Sequence, residues 1–393
     1  MDPLQRWNPA PPEVDQVPNI PFLYGLSMIC YKGVQSARPA GVVTSRHRAK
    51  PWAGMNMAKR RRKKGKATKV SGRKAASLPR IGHPEELLWA IEQRFAAVGE
   101  DGLPDGELSA FLADLEESVD DLEILPNTPV DEAQKIIYPY LLEKDSVARV
   151  EAAQRALQVC PDCADAYVVL GEEAQSDDEK LRLFQLGVQA GERALGQEKF
   201  ERDKGRFWSV VRTRPYMRAR IHLARELEIV GRPDEAMVHY MDMLELDHED
   251  HLGARFRLLR LFIVTDKDRE AWGLLKTYDE ESCAFVYAKP LLRFRQRGDS
   301  VIARKELREA IDYNFLVPLF LFGAGEEDFP KWFLEELLVD MEEAEEYVEE
   351  FLPCWAQTPG ALEWLAQTAT PEFRRLASDT PVALLRRAPR PGE

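Results

Sequence analysis

Apolar residues recur at helical spacing along most of the chain. After Pro84-Glu85-Glu86, Leu87, Leu88, Ile91 and Phe95 share one face. The proline suits a first helical turn and the glutamates suit its positive end. Leu108, Phe111, Leu112, Leu115 and Val119 form a second such face over 106–122. From Val130 to about Asn314 the text reads helix, turn, helix, turn. No run of alternating β-branched residues reads as a strand, so the pattern predicts an all-α fold.

The turns fall at regular intervals, which points to an internal repeat. A small residue recurs at Ala236, Ala271 and Ala303, spaced 35 and 32 residues apart. Around the first of these stand Leu223-Ala224, Leu227, Gly231, Asp234-Glu235-Ala236, Tyr240 and Met243. This run resembles the tetratricopeptide repeat. An earlier match is Tyr167, Leu170-Gly171, Phe184 and Gly187, and later units cover 255–279 and 284–313. Small residues let two antiparallel helices approach closely, and larger ones such as Tyr240 and Leu275 fill the space against the next pair. One pair cannot bury both faces, so pairs must stack. The expected architecture is therefore a tetratricopeptide-like helical-hairpin solenoid over 130–314. An N-terminal helical cap is expected over 84–129 and acidic C-terminal capping helices over 315–370, with 371–393 loose. The segment 191–215 reads as a long polar interruption between two units.

Charge divides the chain further. Residues 1–80 carry 17 Lys/Arg against 3 Asp/Glu, while the rest is strongly acidic. Lys59–Lys74 holds ten cations in sixteen residues, Lys59, Arg60, Arg61, Arg62, Lys63 and Lys64 leading it, with no acid or aromatic. Such a run repels itself and buries nothing, so a disordered basic N-terminal tail is expected. It would bind polyanions, nucleic acid included, weakly and without sequence preference, and removing 1–80 should abolish that salt-sensitive binding. Met57-Ala58-Lys59-Arg60 also reads as a natural start of translation. A leader spanning 1–56, with eight prolines, is the alternative; a native peptide from within it would exclude the Met57 start. At the other end, 326–350 holds twelve Asp/Glu and one Lys, with Trp332, Phe333, Leu337, Val348 and Phe351 at helical spacing. The pattern suits a capping helix with one solvated acidic face.

No uncharged stretch is long enough to cross a bilayer; the longest, Gln16–Tyr31, is broken by Pro18 and Pro21. Five scattered cysteines make no disulfide framework, so a reducing, cytoplasmic setting is expected. Phosphate-cradling, dinucleotide, nucleophile-elbow and HExxH motifs are all missing from the text, so the expectation is no enzyme and no cofactor. Cys160-x-x-Cys163 and His248-x-x-His251 have zinc-ligand spacing, but a whole unit separates them. They read as turn residues, and no metal is expected.

The segment from Phe207-Trp208-Ser209 through Arg214-Pro215-Tyr216-Met217-Arg218-Ala219 resembles a signature of a bacterial tetratricopeptide-like family. That family is related to the suppressor of tumorigenicity 7 family. Cys160-Pro161-Asp162-Cys163-Ala164-Asp165-Ala166-Tyr167, Glu309–Asn314 and Thr358-Pro359-Gly360 add to the likeness, which covers roughly 130–370. The resemblance implies a helical repeat fold with no assigned catalytic residues.

The function expected is a non-enzymatic scaffold that binds a partner protein or peptide in its concave groove. A nucleic-acid- or ribosome-associated protein acting through the tail is the alternative. In the repeat register, Arg218 and Arg225 face the concave side, and Arg260 occupies the position equivalent to Arg225 one unit on. They would either clamp an acidic segment or a free C-terminus, or pair with the protein's own acids, for example Glu228 beside Arg225.

Overall fold

A computed structural model describes residues 83–96, 110, 111, 114, 124–278, 280–324 and 331–379. The basic tract Lys59–Lys74, residues 1–56 and most of the expected 106–122 helix lie outside them. The described chain divides at Pro126 into two units. In the N-terminal unit, α1 (Pro84–Ala96) sets Phe95 edge-to-face on Phe111 at 5.0 Å. Gln93 closes two hydrogen bonds with the Leu125 backbone, at 2.7 and 2.9 Å.

The second unit is built of helices, with no strand among the described residues beyond one isolated bridge between Arg206 and Asp247. Its first pair is α2 (Pro129–Ile137) and α3 (Ser146–Val159). Thr128 and Asp131 start α2 with a reciprocal capping box, and Asp145 caps α3 through the Val147 and Ala148 amides. The next pair is α4 (Ala164–Glu173) and α5 (Asp177–Asp203). Three hairpins follow: α6 (Arg214–Ile229) with α7 (Pro233–Leu246), α8 (Ala254–Val264) with α9 (Asp268–Thr277), and α10 (Cys283–Arg297) with α11 (Val301–Tyr313).

These three hairpins share one local design. Each first helix is followed within two residues by one with positive φ: Gly231 (75°), Asp266 (57°) and Gly298 (61°). Five residues later stands a fully buried alanine, Ala236, Ala271 or Ala303. The left-handed residue reverses the chain, and the alanine lets the second helix close on the first. In the first two, the amides of Arg232 and Lys267 return to the carbonyls of Leu227 and Phe262, at 2.8 and 2.7 Å.

The 191–215 segment is more ordered than its polarity suggests. Helix α5 runs through it to Asp203, breaking only at Gly196 (φ 67°). Two short 3-10 turns follow, and Phe207 inserts fully buried against Phe200 and Tyr216. A few aromatics suffice to anchor a segment whose exposed face stays polar.

Helix α12 (Leu316–Leu321), α13 (Lys331–Ala356) and α14 (Ala361–Asp379) close the unit. Helix α14 continues through Pro371 to Asp379, past the point where a loose tail was expected. One proline removes one donor, and the helix continues past it. Helix α13 packs on α12 and α14 and also reaches back across α8 and α10. Its Met341, Ala344, Tyr347, Phe351, Cys354 and Trp355 are buried.

Candidate functional site

The first helices α4, α6 and α8 lie in order and carry a charged strip. Asp165 on α4 is fully buried and receives Arg218 Nε and Nη2 at 2.8 and 2.6 Å. Gln134 Nε2 donates to the same carboxylate at 2.6 Å. Next along the strip, Arg149 spans Glu172 and Glu173, and His222 stands 3.4 Å from Glu172. Burial and the charges of Arg225, Arg218 and Arg149 push the His222 imidazole down to about 4. Glu172 already serves Arg149, so His222 stays neutral. Then comes Glu228, which accepts from Tyr240 Oη at 2.5 Å and pairs with Arg260 from α8.

The three sequence-predicted arginines thus share one face and have different fates. Arg218 is committed to Asp165, and Arg260 to Glu228 with Glu350 at 3.6 Å. Glu228 does not pair with Arg225, because Arg260 and Tyr240 occupy both its oxygens. Arg225 is half-buried, its Nε is enclosed without a hydrogen-bond partner, and Tyr240 and Glu350 attract its charge from nearby. Burial and the neighbouring Arg257 lower its pKa from the usual guanidinium value.

Arg225 lines a shallow, open groove with Phe256, Arg257, Tyr347, Glu350 and Phe351. Arg257 Nη2 holds Glu350 at 2.6 Å. Two of these residues, Arg257 and Glu350, escape a reading by repeat register. Arg257 lies three residues before Arg260, on the same helix face, which is the signal that could have found it. Glu350 comes from α13, whose acids read as solvated.

The other sequence candidates fall elsewhere. Cys160 and Cys163 are buried free thiols in the core between α2, α3 and α4. Burial and Asp165 push the Cys163 thiol up to about 12, so it is protonated at neutral pH. His251 closes on Asp247 at 3.0 Å in the α7–α8 turn and stacks on Trp208. His248 donates its amide to the Gly205 carbonyl. Among the described residues no group of three or more His, Cys, Asp or Glu is placed to hold a metal ion. No described helix is long and apolar enough to cross a membrane.

The chain is similar to suppressor of tumorigenicity 7 protein-like proteins. It is 28% identical to that of Homo sapiens over 265 residues, covering 60% of this chain and 44% of the relative. Against the Bos taurus protein the identity is 26% over 262 residues, 60% of this chain and 46% of the relative. The chain therefore spans less than half the length of these curated relatives. No family model matches, and no solved structure does.

Proposed function

We propose that this protein is a tetratricopeptide-like helical scaffold, not an enzyme, and that it holds a partner protein or peptide in the groove between α6, α8, the start of α10 and α13. The observation that carries this reading is the groove itself. Helices from three successive hairpins and α13 converge on it, and its walls combine aromatic surface with charge. Interfaces that recognise chains use this mixture, an apolar anchor with a few placed polar groups. The regular left-handed turns and buried alanines support a stack of like units, and such stacks present a continuous surface along their first helices. A separate contact through Lys59–Lys74, with polyanions, is proposed from the sequence alone.

The test uses the full chain with p-benzoylphenylalanine in place of either Leu252, at the groove, or Val301, exposed on α11. Illumination in the producing cell should cross-link a defined protein from position 252 and not from 301. Equal cross-linking from both, or none from 252, would reject the groove as the binding surface.

A further inference from the structure

Helix α13 keeps one face open. Leu338, Glu342, Glu349 and Leu352 follow one another at helical spacing, opposite the buried Ala344, Tyr347 and Phe351. All four are exposed, and Val339 flanks the stripe. Leu338 and Val339 are 51% and 71% accessible to water. The helix as a whole holds nine Asp/Glu and a single Lys, Lys331. Two adjacent aliphatic side chains in water, with carboxylates beyond them, suit a covering segment that is first apolar and then basic.

The chain carries such a segment close at hand. Helix α14 begins beside the start of α11, where Trp364 Nε1 donates to Asp299 at 3.1 Å. It packs on α11 and on α12, the helix that follows α11, so it runs in the direction of α11. At the far end of α11, Asn314 Nδ2 donates to the Asp340 carbonyl of α13 at 2.8 Å. The nineteen residues of α14 span about 28 Å, against about 20 Å for the thirteen of α11. Helix α14 therefore reaches past the level of Asp340, toward Leu338 and Val339. The sequence then reads Val382-Ala383-Leu384-Leu385-Arg386-Arg387-Ala388-Pro389-Arg390, apolar first and basic next, in the order of the stripe. Residues 380–393 extend to about 46 Å, and Leu338 to Leu352 is about 21 Å along the helix. The basic tract Lys59–Lys74 has the charge but no such apolar run.

We propose that residues 380–393 strap back over the outer face of α13, with Val382, Leu384 and Leu385 on Leu338 and Val339, Arg386 and Arg387 at Glu342, and Arg390 at Glu349. The strap reserves this face: another basic chain reaches it only by drawing the strap off, and salt, which screens exposed pairs, loosens it. The four stripe residues lie outside the lining of the Arg225 groove, so the strap does not depend on the scaffold reading.

The test places p-benzoylphenylalanine at Val339 in the purified full chain, with the same group at the exposed Val301 as control. An equal mixture of isotopically heavy and light chains is illuminated, digested and mapped by mass spectrometry. Position 339 should cross-link to a peptide carrying Val382–Leu385, heavy to heavy and light to light, and position 301 should not. Reversing the arginines together (Arg386→Glu, Arg387→Glu and Arg390→Glu) should lower the yield about tenfold, the scale of a few exposed pairs turned repulsive. Adding Glu342→Arg and Glu349→Arg to that chain should restore it. These substitutions lie on exposed positions or beyond α14, so the fold is kept. No link from 339 to the tail, an equal link from 301, a link to Lys59–Lys74 in its place, or links found only between heavy and light chains would each overturn the strap. A yield unmoved by the reversal, or not regained on the exchange, would overturn it as well.

Discussion

Arg218 and Arg225 stand seven residues apart on α6, and the difference between them is what lies opposite. Asp165 faces Arg218, is fully buried, and depends on it together with Gln134. Arg218→Met would leave a buried carboxylate with one amide donor. The expected cost is about 3 kcal/mol or more, read as a lower urea midpoint, and Asp165→Asn in the same chain should recover much of it. No loss on Arg218→Met would mean the pair contributes only geometry. Histidine supplies a second residue-scale outcome. Arg220 Nε donates to His239 Nδ1 at 3.2 Å, which requires the neutral ring. Burial and Arg220 push that imidazole down to about 4, against an ordinary value near 6.5. A depressed folded-state pKa means stability that is complete above pH 6.5 and lost as pH falls toward 4. His222 acts in the same direction. Between pH 7 and pH 5 the chain should lose stability, at most about 2 kcal/mol of it through His239. His239→Asn should flatten that part of the profile; an unchanged slope would contradict the assignment.

At the scale of the helices, close approach decides what each position tolerates. A Cβ on Gly191 in α5 would lie 2.9 Å from Tyr216 Cβ and 3.1 Å from its Cα, so the α6 backbone blocks it. Gly273 in α9 has nothing within 4 Å. Both glycines cost helix propensity, by about 1 kcal/mol relative to alanine. Gly273→Ala should therefore raise the melting temperature, and Gly191→Ala should lower it, since displacing backbone costs about 1–3 kcal/mol. The same sign for both would show that α5 and α6 can separate. This scale was the most legible in the sequence. The spacing of Ala236, Ala271 and Ala303 marks the points where second helices close on first ones, because only small residues fit there. The all-helical class followed from period alone. Two features were hidden for physical reasons. Residues 191–203 look like a linker because a helix exposed on most sides carries few apolar residues. Glu343 and Glu350 look solvated because the sequence cannot show which arginines or amides turn toward an acidic helix. That is why Arg225 could be singled out from register, while Arg257 and the α13 wall could not.

For the C-terminal unit as a whole, the position of α13 changes how stability is distributed. In a linear array each hairpin touches only its neighbours, so a terminal helix protects the last hairpin and little else. Here α13 lies on α8 as well as α10, and Glu350 links to Arg257 and Arg260. Arg295 on α10 adds ties to Asp266 and Asp268 at the start of α9 and to Thr358 between α13 and α14. Tyr287 packs on Tyr347 at 5.4 Å, so removing α13 would uncover α10 along its length. Deleting 331–393 should then accelerate amide exchange in α8 as well as in α10 and α11, with α4 and α5 little changed. Exchange that speeds up only in α10 and α11 would show ordinary nearest-neighbour behaviour. Faster exchange reaching α8 would mean that α13 binds two hairpins into one cooperative block. The groove at Arg225 would then sit at the edge of that block, where a rigid wall meets helices that α13 does not cover, and a ligand bound there would gain affinity from a surface already held in place.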